Sequence, residues 1–99
     1  AKLTIKSLDT INKIAQILKE NNTYTIEISG HTDSVGDPEY NLELSKQRAL
    51  SVKGALMKQG VDAKKMVANG YGDQRPLVDN NNEEDRKKNR RVEFKIIGE

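Results

Sequence analysis

Residues 25–49 read TIEISGHTDSVGDPEYNLELSKQRA, and this run decides the architecture. Thr25-Ile26-Glu27-Ile28-Ser29 alternates polar with β-branched apolar residues, the period of a strand with one buried face, and Gly30 is expected to end it. His31 to Asp37 is rich in Thr, Asp, Ser and Gly, whose side chains or freedom favour a turn over a ladder. Asp37-Pro38 has the form of an N-cap followed by proline at the first helical position, where a missing N–H costs nothing. From Pro38 to Gln59 the period is helical, and Gly60 supplies the stop. Strand, turn and helix thus bring two opposite charges, Asp33 in the turn and Arg48 in the helix, toward one strand end.

The flanking segments supply the rest of the fold. Leu8, Ile11, Ile14, Ala15 and Leu18 recur at helical spacing, with Lys6, Lys13 and Lys19 elsewhere on the wheel, so Leu3 to Asn21 reads as an amphipathic helix. Thr4 is its expected N-cap, and Leu3 with Leu8 has the spacing of a hydrophobic staple. After the Asn21-Asn22 turn and the central run, Val61 to Lys65 is a short connection and Met66-Val67-Ala68 a brief strand. Gly70-Tyr71-Gly72 reads as a turn, followed by a polar loop with Pro76 and Asn80-Asn81-Asn82. Glu83 to Lys88 begins acidic and ends basic, the order that suits a helix dipole. Arg91 to Ile96 alternates again, with Val92, Phe94 and Ile96 on the core side. The expected order is helix, strand, helix, strand, short helix, strand. That is an α/β two-layer sandwich, two main helices on one face of a small mixed sheet.

Composition narrows the function. At 99 residues the chain, residues 1–99, is one domain, and with 34% hydrophobic residues grouped in periodic segments it is expected to fold alone. A formal charge of +2 argues against a module driven by phosphate neutralisation. Without cysteine there is neither a disulfide framework nor a thiolate metal site. No apolar run approaches the roughly 20 residues that span a bilayer, so any anchor or export signal is expected outside this chain.

The parts for catalysis are sparse. One histidine, no cysteine and no serine elbow leave nucleophilic triads incomplete. His31 and Asp33 would be two ligands of a metal site with no third His or Cys, so His31 reads as a turn histidine bonded to backbone, and no metal or cofactor is expected. A hydrolase using Asp33 with Glu39 or Glu43 has no further warrant. Arg86 to Arg91 is the strongest basic cluster and carries an alternative reading as a nucleic-acid contact. Against it, Glu83, Glu84 and Asp85 stand immediately upstream and no aromatic is interleaved for stacking.

Asp33 and Arg48 remain. At 100° per residue Arg48 falls on the same arc as Leu42, Leu44, Ser45, Ala49, Val52, Ala55, Leu56 and Gln59, where a guanidinium either reaches water along its stem or is buried and paired. By composition alone an internal Asp33–Arg48 salt bridge is the simpler account. The functional account is a clamp for a zwitterionic amino-acid head group. Arg48 would hold the carboxylate by paired hydrogen bonds, Asp33 would accept from the ammonium, and Thr32, Asn41 and the turn amides would complete the pocket.

Several motifs carry a family resemblance: Ile28-Ser29-Gly30-His31-Thr32-Asp33, Gly36, Tyr40-Asn41-x-x-Leu44-Ser45-x-x-Arg48-Ala49, Gly70-Tyr71-Gly72, Pro76, and Asn89-Arg90-Arg91-Val92-Glu93. In this order and spacing the chain resembles the OmpA-like peptidoglycan-binding domain. That module is shared by outer-membrane OmpA-type proteins, peptidoglycan-associated lipoproteins and flagellar stator proteins. The resemblance implies a non-enzymatic periplasmic module that grips the diaminopimelate residue of the peptidoglycan stem peptide, tied to the outer membrane only through a parent protein. It carries the family's acidic residue onto Asp33 and its arginine onto Arg48, with Thr32, Asn41 and Leu44 as pocket lining. Asn89 and Arg90 are expected to serve mainly structure and the pocket rim. The family's first strand has no counterpart in this reading, which leaves a sheet edge exposed.

Overall fold

The computed structural model describes residues 2–5 and 8–98. Four strands form one sheet: β1 (Lys2–Ile5), β2 (Thr25–His31), β3 (Met66–Gly70) and β4 (Arg91–Gly98), in the order β1-β4-β2-β3. β2 and β3 are parallel, whereas β4 runs antiparallel to both β1 and β2. The helices are α1 (Leu8–Glu20), α2 (Pro38–Lys58) and the short α3 (Glu83–Asn89). Ile14, Ala15 and Leu18 of α1 and Ala49 and Leu56 of α2 are buried with Ile26, Ile28, Met66 and Phe94 of the sheet. The expected two-layer sandwich is therefore present, with both long helices on one face.

The N-terminus departs from expectation. Leu3 and Thr4 lie in β1, paired with Phe94 and Glu93 of β4, and the helix begins only at Leu8, so Thr4 does not stand at its N-cap position. The family's first strand is present, not missing, and it covers the edge of β4. Lys2 to Ile5 alternates with a period of two, and a helical wheel that absorbs Leu3 conceals this because four residues satisfy either period. Lys6, assigned to the helix above, lies outside the described residues. At the other end of α1, Asn21 terminates the helix, its side-chain amide donating to the Ile17 carbonyl at 2.8 Å.

The ends of α2 follow the sequence closely. Asp37 Oδ1 accepts the Glu39 N–H at 3.1 Å. At the far end Gly60, at φ +96°, donates to the Met57 carbonyl while Val61 donates to that of Leu56, the paired bonds of a Schellman stop.

The strand β2 does not end at Gly30 but runs on to His31, and β3 runs on to Gly70. These glycines allow α2 to lie directly on the sheet. A Cβ on Gly30 would stand 2.0 Å from the Ser45 carbonyl oxygen, and one on Gly70 would stand 2.4 Å from the Lys46 amide nitrogen. The buried stripe of α2 is accordingly Asn41, Ser45, Ala49 and Leu56, small or polar at its N-terminal half. Leu42 and Arg48, placed by the wheel on the buried arc, are exposed. Where a helix packs on backbone, apolarity no longer marks its inner face.

Candidate binding site

The turn after β2 is built by bonds converging from three directions. Asp33 Oδ1 accepts the Val35 N–H at 2.9 Å, and Thr32 Oγ1 donates to the Asp33 carbonyl at 2.9 Å. From α2, Asn41 Nδ2 donates to the Val35 carbonyl at 2.9 Å. From the segment after β3, the Gly72 carbonyl accepts the Thr32 N–H at 2.8 Å, while the Gly72 N–H donates to Ser45 Oγ at 2.9 Å. Gly72 sits at φ +56°, a conformation glycine adopts without strain. Thr32 and Asn41 are buried by these bonds and serve to hold the turn.

Asp33 itself is buried at 8% exposure, and its second oxygen accepts from Arg90 Nη1 at 2.5 Å. The internal Asp33–Arg48 salt bridge does not form. Arg90 takes that place from the end of α3, 57 residues along the chain, and its Nη2 donates to Glu83 at 2.5 Å. Burial pushes the Asp33 carboxyl up, but the Arg90 bond, the Val35 N–H and the charges of Arg90 and Arg86 outweigh it and hold the pKa below its ordinary value. The bonds to Glu83 and Asp33 raise that of Arg90. Asp33 is thus an oriented anion at neutral pH.

Arg48 is exposed, and among the described residues no carboxylate lies within ion-pair distance of it. It stands two turns beyond Asn41, about 10 Å along the axis and about 20° around it, with half-buried Leu44 one turn nearer the Asp33 turn. Helical side chains lean toward the N-terminus, the end of α2 at which the Asp33 turn lies. Asp33 is thus an anchored carboxylate in the turn before α2, and Arg48 an exposed guanidinium two turns beyond Asn41.

Asn89 has a different part. It is fully buried, accepts the Leu77 and Val78 amides at 2.8 and 3.2 Å, and donates to the Val78 carbonyl and Asn80 Oδ1 at 2.9 Å each. It orders the loop that leads into α3 and so places Arg90.

The basic run Arg86 to Arg91 is not a uniformly solvated helix end. Arg91 is buried and bonds Glu93 at 2.8 Å, the Asn89 carbonyl and the Arg75 carbonyl. Arg86 pairs with Glu83 and Lys88 with Asp85. His31 is a strand residue and not a turn residue. It ends β2, is buried, and lies 3.1 Å from Ser29 Oγ and 3.8 Å from Glu93. These partners are distant in sequence or hidden in strand parity. The link from Glu83 through Arg90 to Asp33 is likewise absent from local sequence, because it exists only once α3 is docked.

The model of the OmpA family matches residues 1–90. Outer membrane porin F of Pseudomonas fluorescens is 40% identical over 90 residues, which is 91% of this chain and 28% of that protein, so the chain spans less than a third of that relative's length. The solved peptidoglycan-associated lipoprotein from Burkholderia pseudomallei aligns with a TM-score of 0.87 at 29% identity, covering 96% of this chain and 88% of that one. The cell wall anchor of the T6SS from Pseudomonas aeruginosa aligns with a TM-score of 0.76 at 30% identity, over 92% and 66% of the two chains.

Proposed function

We propose that this chain, which belongs to the OmpA family, is a non-catalytic module that anchors an envelope protein to peptidoglycan. It works in the periplasm, against the wall and outer membrane, as suits a relative of an outer membrane porin and a peptidoglycan-associated lipoprotein. The ligand is the diaminopimelate residue of the stem peptide, held at its zwitterionic centre. Asp33 accepts from the ammonium, Arg48 takes the carboxylate through two N–H donors, and Leu44 packs under the carbon between them. Thr32, Asn41 and Asn89 hold these groups in place, and Arg90 forms the rim beside Asp33.

One observation carries the reading. Asp33 is fixed by the Val35 amide and Arg90, whereas Arg48 is exposed with no protein counter-ion among the described residues. A carboxylate offers about four lone-pair sites, and these two bonds leave room for a ligand's ammonium. Side chains recruited only to tie the turn to α2 would satisfy each other.

The test is co-sedimentation with purified sacculi, followed by titration of the folded domain with diaminopimelate and with lysine. Arg48→Ala and Asp33→Asn are each expected to abolish sedimentation, and the wild type is expected to prefer diaminopimelate because lysine lacks its second carboxylate. If both variants sediment as well as the wild type, the clamp is wrong.

A further inference from the structure

The carboxylate of Asp33 does not face Arg90 alone. Arg90 reaches it through Nη1 only, because Nη2 is held by Glu83 Oε1. The other oxygen of Glu83 lies 3.3 Å from Arg86 Nε. Four charged groups therefore form one chain, two carboxylates alternating with two guanidinium groups, and their charges cancel. Glu83 belongs to the first turn of α3, and its side chain is 57% exposed, so it contributes little to the core.

An arginine fork is built to meet a carboxylate through two parallel N–H bonds. Were Nη2 free, Arg90 could close that fork on Asp33 and occupy the lone pairs an ammonium needs. The cluster would also carry an uncompensated positive charge beside the ligand's own. Glu83 prevents both by holding the outer arm of Arg90 and the Nε of Arg86.

We infer that Glu83 is a positioning residue for the amino group of the ligand: it restrains Arg90 to a single bond with Asp33 and so keeps the Asp33 carboxylate open to an ammonium. Glu83 does not touch the ligand, and the assignment rests on the clamp described above. Its signature is selective. Loss of Glu83 weakens recognition of the ammonium while leaving recognition of the carboxylate by Arg48 untouched.

The experiment is an NMR titration of the full chain with two probes, diaminopimelate and pimelate, the same dicarboxylate without amino groups. In the wild type diaminopimelate binds more tightly than pimelate. In Glu83→Gln that preference shrinks by about threefold or more, since an exposed ion pair is worth up to a factor of about five, while pimelate binds as before or slightly better. The urea midpoint of the variant stays at the wild-type value. Equal weakening of both probes makes Glu83 a merely structural residue, and an unchanged preference removes its role; either result overturns the assignment. Asp33→Asn separates the two levels. If the wild-type preference survives in Asp33→Asn, the clamp itself fails and the role of Glu83 with it. If the preference is lost in Asp33→Asn but intact in Glu83→Gln, the clamp stands and only this inference falls.

Discussion

Replacing Gly30 by alanine is expected to cost the domain roughly 3–5 kcal/mol. The added methyl would stand 2.0 Å from the Ser45 carbonyl oxygen and 2.7 Å from its carbon, both backbone atoms of α2 that no rotamer change can move. The helix must retreat by about 1 Å, and overpacking of this kind costs typically 1–3 kcal/mol. Retreat also stretches the bonds α2 makes to the site, Ser45 Oγ with the Gly72 amide and Asn41 with the Val35 carbonyl, each at 2.9 Å. Those bonds contribute about 1 kcal/mol each. The measurement is urea unfolding followed by circular dichroism, with thermal melts expected to drop by roughly 15–30 °C. Gly54→Ala is the control of opposite sign. It lies inside α2 with nothing within 4 Å of the added carbon, and it should gain about 0.5–1 kcal/mol. A Gly30→Ala variant within about 1 kcal/mol of wild type would refute the argument that α2 rests on the sheet backbone at this point.

Further outcomes follow from the same contacts. Arg48→Ala should leave stability within about 0.5 kcal/mol of wild type in urea, because the side chain is exposed and lacks an ion-pair partner among the described residues, even as wall binding disappears. Asn89→Ala should destabilise by roughly 2–4 kcal/mol, since it orphans two amides and a carbonyl in the loop before α3; a variant as stable as wild type contradicts that. Asp33 gives a pH dependence. Its folded pKa lies below the ordinary 3.8, so the stability it contributes is present above that pH and is lost as pH falls through the folded value. In urea titrations from about pH 6 to about pH 2.5, the gap between wild type and Asp33→Asn should therefore narrow at the acid end, and a gap that widens there contradicts the pairing with Arg90.

Local chemistry was enough to read much of this protein from its residues. The cap at Asp37, the stop at Gly60, the alternation of β2 and β4 and the apolar period of α1 from Ile11 to Leu18 each rest on interactions within a few residues, and each is where the sequence places it. The placing of Asp33 in the turn and of Arg48 in the helix was legible for the same reason, since one strand, one turn and one helix set both positions. Tertiary structure decided what distance along the chain conceals. A four-residue strand acquires its identity only by pairing with β4, and the polar inner face of α2 makes sense only against the bare backbone of Gly30 and Gly70. Above all, the partner of Asp33 was set by docking. The charge on its neighbouring helix stayed in solvent, and Arg90, brought in by the loop that Asn89 orders, took the bond because a buried carboxylate is stabilised by whichever guanidinium the assembled fold delivers to it.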